Sequence, residues 1–479
     1  MIALLTFCIA RLWLVPLPTS FWVDELVTAF VVKHPGHASF AVAPQVPQSI
    51  YYWLPRAAFA LGGLSEVAFR IPSMVAMGIA LWLIGLLAAR LIHPAAGWFA
   101  VFAALSIRGI DYFAIDARPY GLGIMVASAC LYFLVRWLDS ARWREAAFFV
   151  LFAALVWRVH LLYWPFYLVI AIYAATRLAA GDTPVRWPQW ATVAVVGAVA
   201  LLPQAMSALS LAHGAHAHSF VAPPTLHIFE HELHWNIPLL CGAAAWTLTK
   251  FARLRYRIRP GAWVLMLSWW LCQPVCLYIY SHVTGNSIYV GRYLSVMLPG
   301  AALTAAAVVA CWMPPKGWRT AAATMALGAL IFQGHWESVW YRHDVSDWRT
   351  AAREVNRFVA DAAIPVVVPS PFIEARSPAW TPDYPLPGFL YAQLDGYPVM
   401  GKPYLMPFDS PADSAEGVQY AESLLRSGEL LGRGRWVIYG PERHVRDWRK
   451  WFQQRTELAG WLSTLQEFGD VYVAEFRKD

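Results

Sequence analysis

The fold class this sequence predicts is a helical polytopic membrane protein with a C-terminal α/β domain. Three observations predict it. Of 479 residues, 58% are hydrophobic and only 14% charged, a balance too poor in charge for a soluble chain of this size. Apolar runs approaching the ~20 residues that a bilayer span needs recur as far as residue 336. From about Tyr341 the composition becomes the mixed one of a globular domain. The predicted organisation is therefore a transmembrane domain over residues 1–340 and a soluble α/β domain over 341–479.

About eleven spans are expected, at 2–18, 71–91, 95–108, 118–135, 146–158, 160–176, 189–210, 236–250, 261–280, 293–313 and 320–336. The first run has no basic stretch before it and no clear small-residue cleavage site, so it reads as a retained helix rather than a signal peptide. The pairs 95–108/118–135 and 146–158/160–176 read as tight hairpins. Basic residues concentrate in 136–144, 177–187, 250–260 and 314–319. With eleven spans these four segments share one side, which the positive-inside rule makes the cytoplasm. The loop after the first span, the turn at 108–118, the loops at 210–236 and 281–292, and everything after about 337 are then expected outside. This assignment also accounts for the net charge of +7 without nucleic acid. The 26 tryptophans suit anchoring at headgroup depth. The six cysteines all fall in apolar runs and read as small buried hydrophobes, with no disulfide framework expected.

Beyond Tyr341, helices are predicted over 346–363, 413–431 and 441–454, and strands over 365–370, 435–440 and 471–476. Residues 371–411, rich in Pro, Tyr and Phe, read as a covering loop.

Ionisable residues collect at the expected outer ends of the spans. FWVDELVTAF carries the adjacent acids Asp24 and Glu25 just past the first span. Acids favour the first turn of a helix, but a carboxylate at a membrane surface can also take a proton from an acceptor hydroxyl. RGIDYFAIDARPYGLG packs Arg108, Asp111, Asp116, Arg118 and Tyr120 into one turn, with Pro119 opening the next helix. Arginine there can grip a phosphate through paired N–H bonds. Arg158 and His160 mark the tip of the next hairpin. Arg292 and Tyr293 sit where an outer loop enters the tenth span, as an interfacial anchor or a second phosphate contact. Segment 213–235 holds His213, His216, His218, His227, His231 and His234. The last three, with Glu230, fall near one helical face, a spacing that could hold a divalent metal ion.

Several of these stretches together resemble the membrane glycosyltransferases of the GT-C superfamily. The nearest branch is that of bacterial relatives of protein O-mannosyltransferases and lipid A aminoarabinose transferase. FWVDELVTAF resembles the branch's aspartate–glutamate motif. SIYYWLPRAAFALGGLSEVAFRIPS resembles its paired tyrosines followed by Arg-x-Pro, with Tyr51, Tyr52 and Arg70 at the matching places. FAIDARPYGLG resembles its acid–x–Arg–Pro–Tyr turn, GRYLSVMLPG its late Arg-Tyr motif, and SDWR the opening of its outer domain. Two departures stand out: VPQSIYY lacks the usual His-Pro-Pro, and Asp116 stands where Glu is commoner.

The resemblance implies a multi-pass enzyme of the bacterial inner membrane with an extracytoplasmic C-terminal domain. It would move a sugar from a polyprenyl-phosphate donor to an acceptor on the outer face, with inversion. On that reading Asp24 is the base, Glu25 orients it or meets the acceptor, and Asp116 positions the acceptor or a cation. Arg118, Arg292, Tyr293 and His160 meet the donor phosphate. Tyr120, Arg70, Tyr51 and Tyr52 support them. Two other classes compete. A secondary transporter would place ionisable residues near the midplane and often show repeated halves, and neither is seen. A non-catalytic lipid-binding partner in envelope assembly would tolerate loss of Asp24.

Overall fold

A computed structural model describes residues 1–212, 222–249, 258–359 and 363–479. The chain forms two compact units. One comprises Met1–Leu17 with Ser49–Tyr341, the other Pro18–Gln48 with Arg342–Asp479. The segment 18–48, which the sequence reads as the first loop of the membrane domain, thus clusters with the C-terminal residues.

The first unit is helical. Among the described residues, six helices are long and apolar enough to cross a membrane: Glu66–Leu91, Tyr120–Ser140, Leu161–Ala179, Trp187–Leu209, Pro260–Thr284 and Gly291–Ala310. Ile2–Leu14 and Asn236–Leu248 are apolar but shorter. The runs at 95–108, 146–158 and 320–336 fold as helices Gly97–Leu105, Trp143–Val159 and Trp318–Gln333, of 9, 17 and 16 residues. A nine-residue helix rises about 14 Å, less than half of a hydrocarbon core of about 30 Å. Accordingly Gly97–Leu105 is shielded by protein, with Phe99 through Leu105 all buried. An apolar run can therefore mark interior packing as well as a span.

Local signals set the helix ends that matter for the site. Ser65 opens Glu66–Leu91, its hydroxyl accepting the Ala68 N–H at 3.4 Å. Arg70 of this helix is fully buried and donates to the Leu17 carbonyl at 2.9 Å. Pro119 precedes Tyr120–Ser140, which ends at Ala141 in the left-handed region, φ 53°.

The second unit is built on a five-stranded sheet: β1 (Pro365–Pro369), β2 (Lys402–Met406), β3 (Arg435–Pro441), β4 (Trp461–Phe468) and β5 (Val471–Lys478). The order is β2-β1-β3-β5-β4. β1 runs parallel to β2 and β3, while β5 is antiparallel to both β3 and β4. Helices Ala415–Arg426 and Glu442–Gln453 bury Leu424, Leu425, Trp448 and Phe452 in the same core as β-strand residues Trp436, Ile438 and Phe476. Trp436 stands opposite Phe476, and their rings stack at 4.0 Å. Each such fully buried large apolar side chain contributes about 1.5–3 kcal/mol.

β2 lies inside the stretch read as a covering loop, and β4 was not foreseen. Both are edge strands. Pro403 is compatible with an edge but not with a central strand, and the polar alternation of β4 reflects one wet face.

Candidate functional site

In the first unit, four separate elements converge on His160. The residue closes helix Trp143–Val159 and leads into the Leu161–Ala179 span. Its Nδ1 accepts the Leu162 N–H at 3.3 Å. Three aromatic rings surround it: Tyr120 at 5.7 Å, Tyr163 at 5.1 Å and Tyr293 at 5.2 Å between centroids. The Arg292 guanidinium lies 5.3 Å from the Tyr293 ring centroid. Burial pushes the His160 imidazole down to about 3, and the charges of Arg118 and Arg292 press it in the same direction. The imidazole is therefore neutral at physiological pH, and both arginines project positive charge onto one place.

Hydrogen bonds hold these elements in register. The Tyr163 hydroxyl pairs with Ser295 Oγ at 2.6 Å. The Gln273 carboxamide donates to the carbonyls of Leu162 at 2.8 Å and Tyr293 at 3.0 Å. The Ser73 hydroxyl donates to the Arg118 carbonyl at 3.4 Å and shares a hydrogen bond with the Tyr51 hydroxyl at 3.2 Å. Tyr51 and Tyr52 are both buried, their rings 5.8 Å apart. Ser49 donates to the Val159 carbonyl at 2.7 Å, tying this stretch to the end of helix Trp143–Val159, just before His160. Gly123 makes room for Tyr163, since a Cβ there would lie 2.4 Å from the Tyr163 ring.

Within the 108–123 turn the residues divide. Asp116 and Tyr120 are fully buried and Arg118 half-buried. Asp111 accepts the Trp13 Nε1–H at 3.0 Å, and burial raises its carboxyl well above the usual range. It behaves as a structural acid rather than a partner for Arg118. Arg108 and Arg158 are exposed.

The histidine face expected at 227–234 does not form. His227 and His231 lie on helix Leu226–Glu232, which ends before His234; there the backbone turns to φ 51°. Among the described residues these three side chains make no cluster of metal-ligand spacing. His213, His216 and His218 lie outside the described residues.

Asp24 and Glu25 belong to the second unit, in the first turn of helix Val23–Lys33. Glu25 is fully buried and accepts the Trp22 N–H at 3.3 Å, closing the helix start as a cap does. Asp24 is half-buried. A ring nitrogen of His343, a residue the sequence did not single out, lies within 4.8 Å of a Glu25 carboxylate oxygen.

His160 also gives a pH signature. On unfolding, its imidazole regains its ordinary value of 6.5 from about 3. The stability it contributes is complete above that ordinary value and is lost as pH falls toward 3. Thermal unfolding of purified protein between pH 4 and 8 is expected to show a shallower acid-side loss in His160→Gln than in the unsubstituted chain.

No protein-family model matches the chain, and no curated protein matches it in sequence. Solved structures do match. ArnT from Cupriavidus metallidurans in the apo state aligns with a TM-score of 0.62 at 10% identity, covering 99% of this chain and 97% of that one. The same protein bound to undecaprenyl phosphate aligns with a TM-score of 0.57 at 10% identity and the same coverage. The arabinosyltransferase EmbB from Mycobacterium smegmatis covers 64% of this chain and 30% of its own, at 16% identity and a TM-score of 0.43. The chain therefore shares the fold of these ArnT structures, helical with a C-terminal α/β domain, as expected from its sequence.

Proposed function

We propose that this protein is a membrane glycosyltransferase that takes a sugar from a polyprenyl-phosphate donor. The observation that carries the reading is the convergence of Arg118 and Arg292 on a neutral, aromatic-walled His160. Two guanidiniums with no added imidazole charge suit a phosphate monoester or diester, and arginine meets such oxygens through paired N–H bonds. Helices beside the cluster provide the apolar surface that a polyprenyl tail needs. That an ArnT structure of the same fold is bound to undecaprenyl phosphate supports the same donor class here.

The proposed reaction is a single displacement. The acceptor hydroxyl oxygen attacks the anomeric carbon, and the bond from that carbon to the phosphate oxygen breaks. Polyprenyl phosphate leaves with the electron pair, its growing negative charge met by Arg118 and Arg292. The acceptor proton passes to the Asp24 carboxylate, and the anomeric configuration inverts. Glu25, which caps its own helix, holds the turn that presents Asp24. Asp116 contacts the acceptor, while Tyr120, Tyr293, Tyr51, Tyr52 and Arg70 shape the donor side. The basic segments at 136–144, 177–187 and 314–319 support an inner-membrane protein with this chemistry on the extracytoplasmic face.

The test is chromosomal deletion in the native host followed by mass spectrometry of envelope glycans, lipids and glycoproteins. The reading expects a species lacking one sugar, restored by the unsubstituted gene. An unchanged envelope, with the protein shown to be produced and inserted before deletion, contradicts it.

A further inference from the structure

The helix that carries the acidic pair cannot stand alone. Val23–Lys33 has eleven residues, and isolated helices shorter than about 12–15 residues are marginal in water. Its conformation must come from what it packs against, and within its own unit one segment far downstream meets it at both ends. At the N-terminal end, the Tyr397 hydroxyl accepts the Phe21 N–H at 2.9 Å and meets Ser20 Oγ at 3.5 Å. At the C-terminal end, Lys33 Nζ donates to Asp395 twice, to Oδ1 at 2.8 Å and to the backbone carbonyl at 3.0 Å. His34 Nε2 reaches the same Oδ1 at 3.1 Å. Between the two ends Leu26 fills the space above Gly396, where a Cβ would lie 2.4 Å from Leu26 Cδ2. Phe389 adds ring contacts with Phe30 at 6.5 Å and Phe40 at 5.6 Å, and its N–H donates to Ser39 Oγ at 3.1 Å.

The segment is itself fastened to the sheet. The Tyr391 hydroxyl donates to the Met406 carbonyl at the end of β2, at 2.7 Å. Ser370, just past β1, donates to the Leu390 carbonyl at 2.6 Å. A continuous path of hydrogen bonds and packing runs from the parallel edge of the sheet through 389–397 to the turn bearing Asp24.

We propose that segment 389–397 is a cradle that sets the position of the Asp24–Glu25 turn, with Asp395 and Tyr397 as positioning residues for transfer. This gives the C-terminal domain a role in the reaction, and the catalytic part of it rests on the function proposed above. Asp395 is nearly buried, its side chain 11% exposed. Removing its charge leaves Lys33 without its counter-ion, and the helix loses its C-terminal fastening.

The experiment uses the full-length protein in lipid nanodiscs, unsubstituted and as Asp395→Ala, Tyr397→Phe and the charge exchange Lys33→Asp with Asp395→Lys. Hydrogen–deuterium exchange is read at the amides of Val27–Lys33 and, as a folding control, at β3. Asp395→Ala is expected to speed exchange in the helix about tenfold or more while β3 is unchanged, and the charge exchange to restore protection. Transfer, once assayed, is expected to lose about tenfold or more in kcat for Asp395→Ala and to lose kcat for Tyr397→Phe, with the donor KM unchanged in both. Unchanged helix exchange in Asp395→Ala overturns the cradle. Faster exchange with undiminished kcat overturns its positioning role. If the unsubstituted protein transfers no sugar, the proposed function fails, and the exchange data alone still decide the cradle.

Discussion

Asp24→Asn is expected to lower kcat for sugar transfer about a thousandfold, the middle of the range that a positioned general base supplies. Donor affinity should stay within about twofold, because the phosphate contacts assigned to Arg118 and Arg292 do not include this side chain. Asparagine keeps the size and much of the hydrogen bonding of aspartate but cannot take the acceptor proton. The Asp24 carboxylate is half-buried in the first turn of Val23–Lys33, so the substitution disturbs no packed core. Glu25 is a necessary contrast. Its carboxylate accepts the Trp22 N–H and is fully buried, so Glu25→Gln should lower thermal stability as well as activity. The measurement is single-turnover transfer with each purified variant, beside its unfolding temperature. Full activity in a folded Asp24→Asn would remove it as the base and point to an acceptor that is already ionised.

Much of this site can be read from the chain alone, for a physical reason. Ionisable side chains are costly in a bilayer, so their clustering at the ends of apolar runs stands out. Arg118, Tyr120, His160, Arg292 and Tyr293 are each visible in this way, and folding brings them around one imidazole. Gln273 was not visible. It is one amide inside an apolar helix, and its task of joining Leu162 to Tyr293 exists only once those segments meet. His343 carries no local signal in the sequence, yet it lies beside Glu25.

Apolar runs do not by themselves count spans. Gly97–Leu105 is as apolar as a span but buries nearly all its side chains in protein, and composition does not separate the two environments. The grouping of 18–48 with the C-terminal residues was likewise hidden. Its contacts include Phe389, Asp395, Gly396 and Tyr397, which no local pattern links to it. The α/β domain was readable where strands are central and apolar, as in β1 and β3, and not at its edges, where Pro403 and polar alternation mimic a loop.

Arg118→Ala and Arg292→Ala should each weaken donor-lipid binding about ten- to a hundredfold, the worth of a hydrogen bond to a charged group. Lysine at either place should recover only part of this, since it keeps the charge and loses the planar fork. The polyprenyl tail alone partitions into apolar surface, so the informative quantity is the preference for a phosphate headgroup over a neutral one. Native mass spectrometry of the full chain with undecaprenyl phosphate and with undecaprenol measures that preference directly. The unsubstituted protein is expected to retain undecaprenyl phosphate strongly over undecaprenol. The Arg118→Ala, Arg292→Ala double variant, folded to the same unfolding temperature, is expected to retain the two equally. An undiminished preference for the phosphate in that variant would contradict the assignment of both arginines to the donor phosphate.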